Sequence, residues 1–225
     1  MKQHFIIQQG HRHLLLFFAG WGMDETPFAS IQPAGCDWMI AYDYRSLSFD
    51  DTLLRPYTDI TLVAWSMGVW AASHIRAHYP QLPIRTSTAI NGTPFPIHEA
   101  KGIAPLIFEG TLQGLSSASL QKFQRRMCHS AADYKSFQAI APQRGVEELR
   151  EELAAIGRQA SLLPPALMQW DRAVIGQNDR IFLPDHQLAA WEGQAARVTT
   201  VDAAHYDASL FEKELQNPVL KERQP

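Results

Sequence analysis

The chain has 225 residues, of which 46% are hydrophobic and 19% are charged. A chain of this length and composition can bury a substantial core, which excludes an intrinsically disordered protein. Its formal net charge of -3 and the lack of a long Lys/Arg run argue against a nucleic-acid partner, because phosphate binding needs a basic surface.

Short apolar segments recur along the chain and are mostly bounded by Gly, Pro, Asp or Asn, which is typical of strands. Several are apolar on both faces, as expected for a parallel sheet covered by helices. The predicted strands are residues 4–8, 13–18, 38–42, 60–65, 84–90, 173–176 and 197–201, with helices at 67–79 and 185–191. The segments joining the second, third and fourth strands are short, and we expect loops there. The pattern predicts an α/β fold with a mostly parallel sheet of about seven strands.

A helical cap is predicted where the strand signals disappear, between Pro96 and Pro164. We place it at residues 98–165, between the core segments 1–97 and 166–225. One apolar stripe at helical spacing comprises Leu120, Phe123, Met127 and Tyr134. A second stripe, in residues 149–160, belongs to a helix whose other faces carry acidic residues, Glu152 among them.

The cap is also basic between residues 113 and 145, where one acid, Asp133, accompanies the bases Lys122, Arg125, Arg126, Lys135 and Arg144. Three of these bases, Lys122, Arg125 and Arg126, share one helical face. A solvated face and a docking patch for an acidic partner are both compatible with this pattern.

The motif Ala64-Trp65-Ser66-Met67-Gly68 lies where a predicted strand gives way to a predicted helix. A serine in such a tight turn presents its hydroxyl for attack, and the residues two before and two after must be small. Ala64 and Gly68 meet that requirement. The motif therefore predicts Ser66 as a nucleophile, and a serine that only caps the helix is the alternative.

A serine nucleophile needs a base and an acid, and in folds of this type the chain order is Ser, then Asp or Glu, then His. Asp179 follows the predicted strand 173–176, and His205 follows the strand 197–201. We predict Asp179 as the acid and His205 as the base, because open α/β sheets build their sites beyond the carboxyl ends of strands. Asp202 is the rival acid.

Hydrolysis through serine also requires N–H donors for the oxyanion that forms. The predicted donors are the backbone N–H groups of Met67, directly after the nucleophile, and of Trp21, in a glycine-rich turn after the second strand. A glycine-rich turn without a ligand is the alternative. The chain has no P-loop and no complete dinucleotide motif, and the pair His11 and His13 has no third ligand nearby, so we expect no cofactor and no metal.

The two cysteines, Cys36 and Cys128, are far apart and form no C-x-x-C motif, which fits a reducing compartment. The apolar run 14–19 is too short for a transmembrane span of about 20 residues. We therefore expect a cytoplasmic protein without a membrane partner. The tripeptide Asn91-Gly92-Thr93 matches the N-glycosylation pattern, but we expect no glycosylation in a cytoplasmic chain.

Taken together, the turn at 18–22, the serine motif, residues 176–179 and the pair Ala204-His205 resemble the α/β-hydrolase superfamily. Within it, residues 17–24, the stretch Tyr42-Asp43-Tyr44-Arg45 and residues 65–71 are similar to the BioG-type pimeloyl-[acyl-carrier protein] methyl ester esterases. The chain departs from the superfamily pattern in two places. Ala64 replaces the usual first glycine of the serine turn, and Ala19 stands where many hydrolases have His.

The resemblance implies a cytoplasmic serine carboxylesterase that hydrolyses the methyl ester of pimeloyl-[acyl-carrier protein] in biotin synthesis and releases methanol. It implies a triad of Ser66, Asp179 and His205, with Trp21 and Met67 in the oxyanion hole. It further implies an acyl pocket lined by Trp21, Trp65, Phe123 and Met127, and carrier-protein contacts through Lys122, Arg125 and Arg126. We expect a monomer.

Two alternatives stay open at this point. One is an acyl thioesterase or broad carboxylesterase that uses the same triad. The other is a binding protein that keeps the hydrolase fold without turnover.

Overall fold

The computed structural model of the chain describes residues 1–216, so residues 217–225 of the predicted core segment lie outside it. Its seven strands form one sheet in the order β1-β3-β2-β4-β5-β6-β7, and β1 alone runs antiparallel to its neighbour. The strands are β1 (Lys2–Ile7), β2 (His13–Phe18), β3 (Asp37–Tyr42), β4 (Asp59–Trp65), β5 (Ile84–Ile90), β6 (Trp170–Gly176) and β7 (Ala195–Val201). The prediction of a mostly parallel, seven-stranded α/β sheet is confirmed.

The helices fall into two groups. In the core, α1 (Met67–His78) joins β4 to β5, α6 (Pro184–Trp191) joins β6 to β7, and α7 (Ala208–Leu215) follows β7. Between β5 and β6 lie α2 (Pro105–Gln113), α3 (Ser117–Met127), α4 (Ala131–Ala139) and α5 (Val146–Leu162). These four helices fall inside the predicted cap, 98–165, whose status as a separate domain stays a prediction. No helix in residues 1–216 is both long enough and apolar enough to cross a bilayer.

Loops cover the sheet where helices are missing. The connections from β2 to β3 and from β3 to β4 contain only short 3-10 turns, Thr26–Phe28 and Asp51–Leu54. Successive strand residues point to opposite faces of a sheet. Phe17 of β2 accordingly contacts Phe28, with ring centroids 4.9 Å apart, whereas Phe18 stacks on Phe49 at 6.0 Å. Each loop therefore packs an aromatic ring against one face of the sheet.

The first predicted cap stripe is divided between two helices, which corrects the single helix that its spacing suggests. Met127 ends α3, whereas Tyr134 belongs to α4. Ser130 begins the new helix, because its hydroxyl accepts the Asp133 N–H while the Asp133 carboxylate accepts the Ser130 N–H. This reciprocal cap starts a helix efficiently, and it redirects the chain between the two parts of the stripe.

Two charged residues of the predicted cap, Arg144 and Glu152, are buried where α5 meets the core. Arg144 and Glu152 are 4% and 0% exposed and are joined by a 2.6 Å ion pair. Glu152 also accepts the Tyr44 N–H at 2.9 Å, and Arg144 lies 3.4 Å from Asp43. Burial opposes the ionisation of Asp43, but Arg45 and Arg144 outweigh it and hold its pKa below the usual range. The stretch 42–45 therefore fastens α5 to the sheet.

Asp37 organises the turn between β1 and β2. Its carboxylate, 1% exposed, accepts the N–H groups of Gln9, Gly10 and His11 and the hydroxyl of Tyr57. Burial raises the pKa of Asp37, but these donors outweigh it and leave the pKa below its ordinary value. Ionised Asp37 therefore stabilises the fold above the pKa of the unfolded chain, about 3.9, and this contribution is lost as the pH falls.

We expect Asp37→Ala to lower the free energy of unfolding by about 3 kcal/mol at pH 7, because buried donors lose a charged acceptor. Urea denaturation measures the difference in the free energy of unfolding between the variant and the parent chain. This difference should shrink below about pH 4, where Asp37 becomes protonated. The exposed Asp185 in α6 is the control. An equal loss in Asp185→Ala, or a difference that grows as the pH falls, would contradict this account.

Candidate active site

Ser66 lies in a strained turn between β4 and α1. Its backbone has φ 59° and ψ -129°, a region that residues other than glycine rarely adopt and that clusters at active sites. Gly68 lets the chain cross here, since a methyl group at that position would lie 2.3 Å from Phe18 O. Ala64 is fully buried and pairs with Phe18 and Ala89 inside the sheet, so its extra methyl group is accommodated.

The structure brings Ser66, His205 and Asp179 together at the carboxyl edge of the sheet. Ser66 Oγ lies 3.0 Å from His205 Nε2, and His205 Nδ1 lies 2.9 Å from Asp179 Oδ2. All three residues are at most 5% exposed. The rival acid Asp202 instead accepts a 2.7 Å hydrogen bond from Asn178 Nδ2. The geometry thus favours Asp179, and the arrangement can deprotonate a serine for acyl transfer.

Backbone and helix donors fix the orientation of the Asp179 carboxylate. Oδ1 accepts the N–H groups of Ile181 and Phe182, while Oδ2 accepts Gln187 Nε2 at 3.1 Å in addition to the histidine. Gln187 is fully buried in α6 and also donates to Phe182 O. Gln187 could not be predicted as part of the site, because a glutamine in a helix belongs to no catalytic motif. Nor could Asn91, whose side chain contacts the His205 loop.

The two predicted oxyanion donors belong to segments that adjoin Ser66. Met67 begins α1, where backbone N–H groups have no partner within the helix. Trp21 follows Gly20, and a methyl group at Gly20 would lie 3.1 Å from Ser66 Cβ, so this loop passes against the serine. The Trp21 indole donates to Leu149 O at 3.0 Å, which ties the loop to α5. The oxyanion role of both N–H groups stays a prediction.

A cleft with about 560 Å³ of empty space, its open mouth included, leads to Ser66 and His205. All four residues predicted to contact the acyl chain line this cleft: Trp21, Trp65, Phe123 and Met127. Trp21 and Phe123 meet edge to face at 5.1 Å, joining the loop after β2 to α3. The remaining wall is mostly apolar and is formed by Met67, Ile103, Ile107, Phe108, Thr111, Arg126, Leu153 and Ile181.

The three bases of α3 have different surroundings. Lys122, Arg125 and Arg126 are all exposed. Arg126 also lines the cleft, and its Nε donates to Arg180 O at 3.0 Å, next to Asp179. All three bases can therefore meet a partner, but only Arg126 among them belongs to the wall of this cleft. Within residues 1–216, no group of three or more His, Cys, Asp or Glu side chains is arranged to hold a metal ion.

Comparisons with known proteins identify close relatives. The family model for the pimeloyl-ACP methyl esterase BioG matches residues 1–214. A malonyl-[acyl-carrier protein] O-methyltransferase of Bacteroides fragilis (strain 638R) is 55% identical over 204 residues, which are 91% of this chain but only 41% of that protein. An uncharacterized protein of Haemophilus influenzae is 36% identical over 215 residues and is covered to 96% of its length. The chain thus spans less than half of the Bacteroides relative and nearly all of the Haemophilus one.

Solved structures agree on the fold. The crystal structure of BioG from Haemophilus influenzae superposes with a TM-score of 0.87 at 33% identity, covering 96% of this chain and all of that one. An enol-lactonase from Burkholderia xenovorans, at 11% identity and a TM-score of 0.62, covers 94% of this chain and 93% of its own, and shares the fold alone. The expected α/β-hydrolase fold is confirmed.

Replacing each candidate acid in turn distinguishes Asp179 from Asp202. We expect Asp179→Asn to lower kcat on a p-nitrophenyl ester by about 10⁴-fold, because an amide disturbs the histidine tautomer. Asp202→Asn should stay within about threefold of the parent chain, since Asp202 contacts Asn178 rather than His205. Steady-state kinetics on both variants measure this, and a larger loss in Asp202→Asn would reverse the assignment.

Proposed function

Because the chain belongs to the pimeloyl-ACP methyl esterase BioG family, we propose that it is a serine carboxylesterase acting on the methyl ester of pimeloyl-[acyl-carrier protein]. The products are methanol and pimeloyl-[acyl-carrier protein], an acyl unit for biotin synthesis. The observation that carries the proposal is the hydrogen-bonded chain from Ser66 through His205 to Asp179 at the base of an apolar cleft. We expect the enzyme to work as a monomer in the cytoplasm.

In the proposed reaction His205 removes the Ser66 proton as the serine attacks the ester carbonyl. Asp179 orients the imidazole through Nδ1 and stabilises the positive charge that forms. The N–H groups of Trp21 and Met67 bind the oxyanion, each contributing about 10²- to 10³-fold to the rate. Methanol leaves after His205 returns its proton. Water then attacks the acyl-enzyme, with His205 again as the base, and releases the carboxylate.

The character of the cleft supports a neutral ester as the substrate. Arg126 is the one Lys or Arg side chain among its lining residues, and most of the wall is aliphatic or aromatic. An alkyl chain ending in a methyl ester is buried there at little cost, because apolar surface is removed from water.

The name of the Bacteroides relative concerns methyl transfer to a carrier-linked malonyl group, and this chain matches 41% of that protein. For this chain, the site favours acyl transfer instead. Ser66 is hydrogen-bonded to a histidine, and a serine activated in this way attacks an acyl carbonyl. A thioesterase or a broad carboxylesterase remains the competing function, because the same three side chains would serve it.

Substrate competition tests the proposal. We expect kcat/KM for the carrier-linked methyl ester to exceed both thioester cleavage of the same molecule and hydrolysis of short p-nitrophenyl esters by at least about 100-fold. Release of methanol measures cleavage of the ester bond, and release of the carrier protein from its acyl group measures cleavage of the thioester bond. Faster thioester cleavage would overturn the substrate assignment.

Labelling provides the control for that comparison and tests the non-catalytic alternative. A fluorophosphonate probe should label the parent chain and Ser30→Ala, whose serine is exposed, but not Ser66→Ala. An unlabelled parent chain would favour a binding protein.

Carrier docking depends in this proposal on Lys122 and Arg125, which are exposed on α3. Reversing both charges, Lys122→Glu with Arg125→Glu, should raise KM for the carrier-linked ester by about 10-fold, because an acidic carrier would then be repelled. Turnover of a p-nitrophenyl ester should not change. The control reverses two exposed bases elsewhere, Arg158→Glu with Lys213→Glu. Equal losses on both substrates would indicate damaged packing instead of lost docking.

A further inference from the structure

Asn91 directly follows β5 and lies between the Ser66 turn and the Asp179 loop, because β5 stands between β4 and β6 in the sheet. It is 1% exposed, and its φ of 44° lies in the left-handed region, which asparagine enters more readily than most residues. Its backbone N–H donates to Val174 O at 3.0 Å. This bond extends the pairing of β5 with β6 by one residue and fixes the Asn91 backbone.

The side-chain amide of Asn91 joins the two loops that carry the candidate acid and base. Oδ1 accepts the N–H of Gly176, where the chain leaves β6 toward Asp179, at 2.7 Å. Nδ2 donates to Ala204 O at 2.8 Å and to His205 O at 3.1 Å. The orientation of the amide follows from its partners, because a backbone N–H can only donate and carbonyl oxygens can only accept. Both amide hydrogens and the amide oxygen therefore bind backbone groups.

The residues on either side of Asn91 contact the serine turn. A methyl group at Gly92 would lie 2.3 Å from Ser66 O and 2.8 Å from Ser66 N, so the two backbones touch. Before Asn91, the oxygen of Ile90 accepts the Ser66 N–H at 3.0 Å. The tripeptide Ile90-Asn91-Gly92 thus contacts all three segments that carry the candidate triad.

We propose that Asn91 is a positioning residue that holds His205 between Ser66 and Asp179; this inference rests on the proposed esterase function of the same site. The backbone oxygen of His205 accepts two hydrogen bonds, from Asn91 Nδ2 and from Trp65 Nε1 at 2.9 Å. Asn91 thereby fixes the backbone position from which the His205 side chain extends. A displacement of about 1 Å there would break the contact with the serine or the aspartate, and misplacement of that size costs about 100-fold in rate.

The test removes the amide and keeps the backbone. Asn91→Gly tolerates the left-handed conformation, so it deletes the three side-chain hydrogen bonds without adding strain. We expect kcat on a p-nitrophenyl ester to fall about 100-fold with KM within about threefold, and the downfield proton resonance of His205 Nδ1–H to broaden or vanish. A purely structural role would leave that resonance in place. An unchanged resonance or an unchanged kcat in the folded variant overturns the proposal.

Asn178→Ala is the matched control. Asn178 lies in the Asp179 loop and donates to Asp202 in the His205 loop, so this exposed bond joins the same two loops without touching His205. We expect its kcat to stay within about twofold of the parent chain. A loss as large as that of Asn91→Gly would show that losing any link between the two loops has this effect, which also overturns the proposal.

Asn91→Asp is assayed if Asn91→Gly does not fold. It keeps the shape and the acceptor for the Gly176 N–H, but it places a carboxylate oxygen against the oxygens of Ala204 and His205. Parental kcat in this variant overturns the proposal, and a loss of about 100-fold supports it. Fluorophosphonate labelling of the parent chain tests the nucleophile independently. A chain that is labelled but prefers another ester would overturn the proposed substrate and leave the role of Asn91 standing.

Discussion

The backbone of Ser66 is the constraint on which the rest of the site depends. A non-glycine residue in this conformation costs about 1–3 kcal/mol, and it persists only when its surroundings hold it. Three glycines leave the space that it needs. A methyl group at Gly20 would lie 3.1 Å from Ser66 Cβ, one at Gly92 2.3 Å from Ser66 O, and one at Gly68 2.3 Å from a backbone oxygen at the end of β2. The hydroxyl reaches His205 because residues on three separate segments have no side chains.

Much of this arrangement could be predicted because its signals are local. Most of the seven strands contain a short apolar or β-branched run near turn-forming residues, so they could be located without knowledge of their partners. The parallel direction of β4, β6 and β7 then brings the ends of these strands to one edge. Ser66, Asp179 and His205 each follow one of those strands, so their positions along the chain were enough to predict their proximity. Asp202 follows the same strand as His205, so its position along the chain also suits an acid. The hydrogen bonds of the structure favour Asp179 instead.

The features that could not be predicted are polar groups whose partners are distant in the sequence. Glu152 looks like one of several acids on a solvated helix, yet it accepts the N–H of Tyr44, which is 108 residues away. Asn91 belongs to a tripeptide with the pattern of a glycosylation site, and its partners lie 85 to 114 residues further on. Gln187 has no motif at all. Periodicity reports which face of an element is apolar, but it does not report which polar side chain finds a buried partner.

Buried hydrogen bonds connect α5 to the segments around Ser66. Leu149 O binds the Trp21 indole, Glu152 holds the Tyr44 backbone, and the Tyr44 hydroxyl donates to Ala19 O at 2.6 Å, one residue before the glycine that touches Ser66. Separating α5 from the core would break these buried hydrogen bonds, each of which contributes about 0.5–1.5 kcal/mol to stability. Helices α2 and α3 also line the cleft, through Ile107 and Phe123 among others.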